Sequence, residues 1–450
     1  MGRIAWAALA TGVAIVGGLT VARPHGVTAA PPLAPAKSES EIRSLDIDFY
    51  ERRIAEDTLS AADRSRLAGL YLQRARETGS YPDYERAAVL ARASLNLRES
   101  HNAATFVVLT SALLAKHDFA EALRVAHALY ATDTADASHT ALLAEVELEV
   151  GDYASSARHF GSVANDADKP SIAARLARWY EVTGRLEKAR AILRQSTARM
   201  AGSSDVPREQ LAWFHYRLGE LYLRGGQLAA ADSSFNRALA ALPTDYRALG
   251  GLARLSAARA DWNAAVDYGA RTIAVQLDPT TLGIMSDAYA ALGDTTQSRS
   301  FTDAMAVSAL SQPGAIHRAW GLFLLDHDRD VARVLREAQK DIVGRRDVYG
   351  YDLLAWASYK AGSIADARRA SMSALAQGTE DASIFYHAGM IAAAAGDSVA
   401  ARAMLDKALR LNPRFSPTQA AVAARTLESL GGRPAVSVAP AVATGGRPGV

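Results

Sequence analysis

The sequence contains no cysteine among its 450 residues. This absence excludes disulfides, thiolate metal sites and cysteine nucleophiles, and it leaves the redox state of the compartment undetermined. Neither sign of charge dominates, since 50 Lys and Arg stand against 48 Asp and Glu, for a net charge of +2. Without a basic stripe, the chain is not expected to bind nucleic acid.

Catalytic and cofactor motifs are also missing. The pair Gly250-Gly251 lies inside a predicted helix and precedes Leu252, without the lysine and hydroxyl that a phosphate loop needs. No H-E-x-x-H or other close histidine pair occurs, and the Ser, His and Asp residues form no nucleophile motif. We therefore expect no catalytic residue, no metal and no cofactor, and the chain is predicted not to be an enzyme.

The amino-terminal residues are uncharged from residue 4 to residue 22, directly after Arg3. A run of 19 residues (22 − 3) is close to the length that spans a bilayer, so residues 1–22 are predicted to be a signal peptide or a transmembrane anchor. Both cleavage and retention are compatible with the sequence. The protein is thus expected to be extracytoplasmic, periplasmic or secreted, or to be anchored in the cytoplasmic membrane.

The most regular stretch covers residues 211–245. At helical period it gives two short amphipathic helices, separated at Gly225-Gly226 and ended at Pro243. Small residues at Gly219 and Ala231 would let the two helices approach closely. The stretch predicts a helical hairpin.

This hairpin recurs along the chain. Eight of the nine spacings between successive predicted turns lie within one residue of 34. An Asp suited to cap the second helix often follows the turn, and a small residue stands five positions beyond it. The predicted turn residues are Pro82, His117, Gly151, Gly184, Gly226, Ala260, Gly293, His327, Gly362 and Gly396. The small residues are Ala87, Ala122, Ser156, Ala189, Ala231, Ala265, Ser298, Ala332, Ala367 and Ala401.

The hairpin resembles the tetratricopeptide repeat. That repeat has, in order, a small residue, an aromatic residue, alanine, a second aromatic residue, a second alanine and proline. The matching residues here are Gly219, Tyr222, Ala231, Phe235, Ala238 and Pro243. The resemblance implies an all-α fold, an alpha-alpha superhelix of about ten helix-turn-helix repeats with capping helices. In the first repeat, residues 76–83 are predicted to lengthen the inner turn.

The predicted domain organisation follows the repeats and the changes in composition. A disordered tether covers residues 23–40, a capping helix 41–60, repeats one to four 61–203, a linker 204–211, repeats five to ten 212–413, a second capping helix 414–430 and a disordered tail 431–450. The linker is interpreted either as a joint between two sub-solenoids or as a longer loop on a continuous spiral.

In the resembled family, the first helices of the repeats line a concave groove that binds a peptide or a partner's helix. The aromatic residues among the candidate groove positions concentrate in the last two repeats. They are predicted to be exposed, as the aromatic residues of binding hot spots are. The alternative is that they pack between neighbouring repeats. The resemblance places these residues in the groove: Tyr216, Glu220, Arg224, Arg247, Arg254, His317, Tyr349, Asp352, Trp356, Tyr359, Lys360 and Tyr386.

The expected function is that of an exported or membrane-anchored adaptor or scaffold that binds a partner protein or peptide, with residues 4–22 as a possible membrane tether. The family's capture of a chaperone's terminal carboxylate is not expected, because the corresponding positions contain no Asn. The alternative is a self-assembling structural component of an envelope complex, which would use the solenoid ends or the helix predicted at residues 41–57.

Overall fold

The computed structural model describes residues 37–203, 205–310 and 318–434. Across these residues the chain forms α-helices and one short 3-10 helix (164–166), and no strand. The helices are α1 Glu39–Glu56, α2 Ala61–Thr78, α3 Tyr81–Leu97, α4 Ala103–Ala115, α5 Phe119–Thr132, α6 Ala137–Val150, α7 Tyr153–Ser162, α8 Pro170–Val182, α9 Leu186–Ala201, α10 Arg208–Arg224, α11 Leu228–Ala241, α12 Tyr246–Ala258, α13 Trp262–Ile273, α14 Pro279–Ala291, α15 Thr295–Leu310, α16 Arg318–Asp326, α17 Val331–Asp341, α18 Val348–Lys360, α19 Ile364–Leu375, α20 Ala382–Ala394, α21 Ser398–Leu411 and α22 Gln419–Ser429.

Helices α2 to α21 pack as ten consecutive pairs, and each pair also packs against the next. Helix α1 precedes the pairs and packs on α2, while α22 follows them and packs on α21. This arrangement is the predicted solenoid of ten helix-turn-helix units, so the predicted fold class is confirmed. Below, the turn inside a unit is called the inner turn, and the segment between two units is called the outer connection.

The inner turns show why the sequence period produces hairpins. Gly151 adopts φ 86° and ends α6, and Asp152 then accepts a hydrogen bond from the Ser155 backbone N–H at the start of α7. The left-handed backbone costs glycine little, and the Asp carboxylate satisfies a helix donor that otherwise has no partner. The same cap is formed by Asp118, Asp152, Asp261, Asp294 and Asp397.

The first and eighth units differ from their predicted alignment. In the first, α2 continues to Thr78 and Gly79 makes the left-handed turn, so the extra residues lengthen a helix and not the turn. In the eighth, the predicted turn residue His327 does not have positive φ, whereas Asp328 does, and Asp330 precedes α17. The alignment shifts because this turn contains two left-handed residues, Asp328 and Asp330, so that α17 begins later than the repeat pattern predicts.

The column of small residues lies at the contact between the two helices of a unit. Eight of its ten members are fully buried, from Ala87 to Ala401. Ser298 is half-buried, and Ala332 is exposed because the shifted turn of the eighth unit places Val334 in the buried position. Close packing of the hairpins thus rests on side chains too small to hold the helices apart.

The connection between the fourth and fifth units does not interrupt the core. Leu193 and Met200 of α9 belong to the same buried cluster as Phe214 of α10. The Arg190 Nη2 donates to the carbonyl oxygen of Leu221 at 2.7 Å across the same boundary. Residues 208–211 open α10, so they are not part of a linker as predicted. The packing favours the second interpretation, a longer loop on a continuous spiral.

The superhelix is wound so tightly that successive turns of the spiral touch. The inner turn of one unit contacts an outer connection about five units later. The backbone N–H of Val348 donates to the Tyr153 hydroxyl oxygen at 2.8 Å, across 195 residues of sequence. The Thr379 hydroxyl donates to the carbonyl oxygen of Val182, and the Asn412 Nδ2 donates to that of Leu223 at 2.9 Å. The accepting carbonyl groups of Val182 and Leu223 both lie at the ends of first helices.

Not every inner turn is covered in this way. At some glycines a Cβ atom would meet the backbone of the next spiral turn, and at others it would meet no atom within 4 Å. The covered turns are defined as those at Gly151, Gly184 and Gly226, and the open turns as those at Gly293, Gly362 and Gly396.

Both ends of the solenoid carry a helix, at Glu39–Glu56 and at Gln419–Ser429. None of the helices in the described part of the chain is both long and apolar enough to span a bilayer. The predicted anchor at residues 4–22 lies outside the described residues, as do residues 23–36 of the predicted tether and 435–450 of the predicted tail.

Candidate functional site

Many first helices contact the first helix of the next unit, for example α10 with α12 and α12 with α14. Three of the predicted groove residues, Glu220, Arg224 and Arg254, line one cavity of about 370 Å³. Asp381 and Arg414, from the carboxyl-terminal turn of the spiral, line the same cavity. The structure therefore brings these predicted residues together, but it also brings the chain's own charged groups opposite them.

Ion pairs connect equivalent positions of neighbouring units. The Arg254 guanidinium donates to both carboxylate oxygens of Glu220, with Nη1 to Oε2 at 3.0 Å. The Arg318 Nη2 lies 2.6 Å from Asp352 Oδ2. In both pairs the residues are 34 positions apart, which is one repeat. Opposite charges at this spacing are a sequence signal for pairing along the groove, and it was missed.

Glu181, at the end of α8, is a buried charge that is 2% exposed. Its carboxylate lies 2.7 Å from Arg217 Nη2, 2.9 Å from Arg224 Nη1 and 3.4 Å from Arg178 Nη1. Burial alone would raise the pKa of Glu181, but the three guanidiniums together lower it to about 2. The carboxylate is therefore ionised and is held by ion pairs with the three arginines.

Arg224 extends this network to the next turn of the spiral. Its Nη1 donates to the Tyr349 hydroxyl oxygen and lies 3.5 Å from Asp381 Oδ2. The Tyr349 ring is also contacted by the guanidiniums of Arg178 and Arg318, at 5.2 and 5.1 Å from its centroid. Predicted ligand-binding groups of the fifth and ninth units thus bind each other.

The aromatic residues of the last two units are buried, so the prediction that they are exposed is wrong for three of them. Trp356 is 2% exposed, Tyr386 4% and Tyr349 7%. Trp356 stacks between Tyr359 and His387, with ring centroids 4.9 and 4.3 Å away. Tight stacking of α18 against α20 puts these rings into the core, which is the packing alternative.

The other predicted residues are also engaged within the chain. Arg247 Nη2 lies 2.6 Å from Asp245 Oδ2 and 2.9 Å from Glu209 Oε1. Tyr216 is half-buried and lies 6.2 Å from Phe235, ring to ring. Lys360 Nζ lies 2.7 Å from Asp328 Oδ1.

Asp352 is buried, and its Oδ1 accepts from His387 Nδ1 at 2.8 Å in addition to its pair with Arg318. His317 lies outside the described residues.

A second, larger concavity lies at the amino-terminal end and contains none of the predicted site residues. It has a volume of about 920 Å³ and lies between α1, α2, α4 and the outer connection at residues 205–207. Leu70, Val108 and Val206 supply apolar surface, and Arg66 and Arg98 are exposed at its border. This concavity is called the amino-terminal groove below.

Sequence reasoning missed the amino-terminal groove because the first unit was misaligned. With the turn placed at Pro82 and not at Gly79, the groove positions of α2 could not be read off the repeat pattern. A usable signal was Gly69, a small residue inside a helix, where an added Cβ would meet only Val108 Cγ2 at 4.0 Å. No group of three or more potential metal-ligating side chains occurs in the described residues.

Residues 168–244, which span the fourth and fifth units, match a family model described as Tetratricopeptide repeat. This part of the chain consists of tetratricopeptide repeats. Proteins built from such repeats bind protein or peptide partners and are typically non-catalytic, so the repeat fold suggests a protein-interaction adaptor or scaffold. No curated protein sequence gives a significant match.

Several solved structures resemble this chain at low sequence identity. The APC/C hetero-tetramer Cut9-Hcn1 is 14% identical, with 87% of this chain and 93% of that chain covered and a TM-score of 0.33. PilW, a type IV pilus biogenesis factor, is 15% identical, with coverages of 50% and 99% and a TM-score of 0.39. YrrB, described as having an unusual peptide-binding site, is 16% identical, with coverages of 44% and 95% and a TM-score of 0.26. TM-scores this low carry no information about the binding partners of this chain.

Proposed function

We propose that this protein is a scaffold that binds a segment of another protein in the amino-terminal groove. One observation carries the proposal. Along the later units the concave face is occupied by the chain's own paired arginines and carboxylates, whereas a concavity of about 920 Å³ stays open along α2 and α4. A partner at the carboxyl-terminal aromatics would have to unpack the core, while a partner at the groove would not.

The lining of the groove indicates the chemistry of the bound segment. Leu70, Val108 and Val206 offer an apolar surface, which favours a segment that presents apolar side chains. Arg66 and Arg98 have no ion pair within the described part of the chain, and a carboxylate on the bound segment would pair with either. The segment we propose is therefore apolar with at least one acidic residue.

We also propose that residues 4–22 export the protein or anchor it in the membrane, on the strength of their length and lack of charge. Amino-terminal sequencing of the protein taken from its host separates cleavage from retention. An intact terminus on protein found in the cytoplasm would refute both routes.

A side chain at Gly69 tests the groove. Gly69→Trp places an indole in the groove from the middle of α2, where the nearest atom to its Cβ is Val108 Cγ2 at 4.0 Å. Gly161→Trp is the matched control, because a Cβ at Gly161 meets no atom within 4 Å and this exposed position lies on α7. Replacing a helical glycine does not weaken a helix, so both variants should fold.

The readout is proximity labelling in the native host with the full chain as bait. We expect Gly69→Trp to lose the proteins that label the wild-type chain, and Gly161→Trp to retain them. Identical labelling by the two variants would rule out the amino-terminal groove as the binding site.

A further inference from the structure

Helix α1 turns an apolar face to solvent. Ile42 is 48% exposed, Leu45 49% and Phe49 47%. Spacings of three and four residues place these side chains on one side of the helix, in the pattern by which two helices pack together. A helix that caps a solenoid normally has a polar outer face, so this face departs from what solubility of a single copy requires. Ile42, Leu45 and Phe49 are together called the α1 stripe, and Ile42 also lines the amino-terminal groove.

The α1 stripe is held on a fixed helix. Ser38 and Glu41 form a capping box at its start, and Ile47 on the opposite side is buried against α2. Arg53 Nη2 lies 2.9 Å from Asp63 Oδ2, and the Tyr71 hydroxyl donates to Glu51. Because α1 is bonded to α2 at several points, it cannot rotate to bury the stripe within its own chain.

The charges of α1 favour a particular partner. Glu39 and Glu41 precede the α1 stripe, and Arg52 and Arg53 follow it. Two copies of α1 packed in parallel would place acid beside acid and arginine beside arginine. Packed antiparallel, they place Arg52 of each copy beside Glu39 of the other, while Arg53 stays paired with Asp63 of its own chain, and the two helix dipoles oppose each other.

A lipid surface fits the α1 stripe less well. Asp46 and Asp48 lie between its apolar residues, and Glu39 and Glu41 lie at one end, so the helix is acidic around its apolar face. Helices that lie on membranes carry lysine and arginine on the polar face, which matches the anionic lipid headgroups. Repulsion of this acidic helix by anionic lipid opposes such binding.

We propose that two copies of this chain associate through the α1 stripe, with α1 antiparallel to α1 of the second copy across a two-fold axis. The axis passes between Leu45 and Asp46. Ile42 of each copy therefore packs on Phe49 of the other copy, which gives two equivalent contacts. The interface is small, because it consists of one helix face on each side. The dimer is therefore weak and depends on protein concentration.

Single cysteines test this arrangement without background, because the chain has none of its own. In the full chain, Leu45→Cys lies next to the axis and cross-links to its own copy under mild oxidation. Ile42→Cys and Phe49→Cys cross-link when the two variants are mixed, but each links poorly alone. We expect Leu45→Cys, and the mixture of Ile42→Cys with Phe49→Cys, to form at least about tenfold more disulfide dimer than Met372→Cys, because a disulfide requires close Cβ atoms. Met372 is the control because it is 70% exposed on the outer helix α19.

A second variant keeps the test independent of folding. Adding Leu45→Glu to the Ile42→Cys and Phe49→Cys chains should abolish their cross-link while the far-ultraviolet circular dichroism stays the same. Strong self-linking of Ile42→Cys would show parallel pairing and overturn the proposal. Cross-linking no greater than for Met372→Cys would also overturn it, and the α1 stripe would then be covered by a different protein or by residues 1–36 of the same chain.

Discussion

The covered and open turns share one sequence signature but not one environment. Gly184 and Gly396 both end a first helix with positive φ, at 67° and 78°. At Gly184 a Cβ would meet the carbonyl oxygen of Gly378 in the next spiral turn, whereas at Gly396 it would meet nothing within 4 Å. In the covered turns, glycine is thus needed twice, for its backbone conformation and for the missing side chain.

The first of these needs can be met by other residues. Ala260 stands at an inner turn with φ 58° and is exposed, so a methyl group is accepted where no second spiral turn approaches. The difference teaches that repeats with the same hairpin pattern diverge according to their place on the superhelix. Three substitutions would break or sharpen this contrast.

The largest effect is expected from alanine at a covered turn. Gly184→Ala should destabilise the protein by about 4 kcal/mol, since the left-handed conformation costs an alanine about 1 kcal/mol or more and the clash with a backbone carbonyl adds the rest. Gly396→Ala should cost only about 1 kcal/mol for the conformation. Urea unfolding followed by circular dichroism measures both. Equal losses would show that the covering contact contributes nothing.

An intermediate effect is expected at the buried ion pairs between the fourth and fifth units. Since the pKa of Glu181 is held at about 2, below its usual range, its ionised form stabilises the fold at neutral pH. This contribution is complete above about pH 5 and is lost as the pH falls toward about 2. Glu181→Gln should therefore cost about 3 kcal/mol at neutral pH and progressively less in acid.

The measurement for this variant is the unfolding free energy at about pH 7, pH 5 and pH 3, with wild type beside it. The gap between the two proteins should narrow in the acid range. A gap that stays constant with pH would mean that the three arginines do not stabilise the carboxylate.

The smallest effect is expected from one hydrogen bond between spiral turns. Thr379→Val keeps the shape of a buried side chain but removes the hydroxyl that donates to the Val182 carbonyl, which should cost about 1 kcal/mol. Thr132→Val is the control, because Thr132 is exposed and bonds only within its own helix end. A loss for the control as large as for Thr379→Val would refute the assignment to the covering contact.

Much of the fold was accessible from local sequence. The Asp caps at Asp118, Asp152 and Asp261 and the buried small residues at Ala122 and Ala231 follow from hairpin chemistry over a few tens of residues. The prediction failed at Ala332, because the turn after His327 contains two left-handed Asp residues and the buried position moves by two residues to Val334. Contacts inside a hairpin are local, and so are the signals that specify them.

The site was less accessible, because it depends on how tightly the superhelix is wound. The resemblance predicted Arg224 and Tyr349 as groove residues, but only the structure shows that they contact each other across 125 residues. The winding results from small angles summed over many units, and no single residue encodes it. Charge pairs one repeat apart, such as Glu220 and Arg254, were the available clue that the interior is occupied from within.

The contact of Tyr153 with Val348 has a consequence for how the chain matures during translation. A ribosome makes the third to fifth units well before it makes the outer connections that cover their turns, which lie 189 to 197 residues downstream. The early hairpins can fold as they leave the ribosome, but the carbonyl groups at the ends of their first helices stay exposed to water until the later units have been made. Nascent chains stalled short of residue 340 should therefore be digested at these early helix ends, where the finished protein resists the same protease.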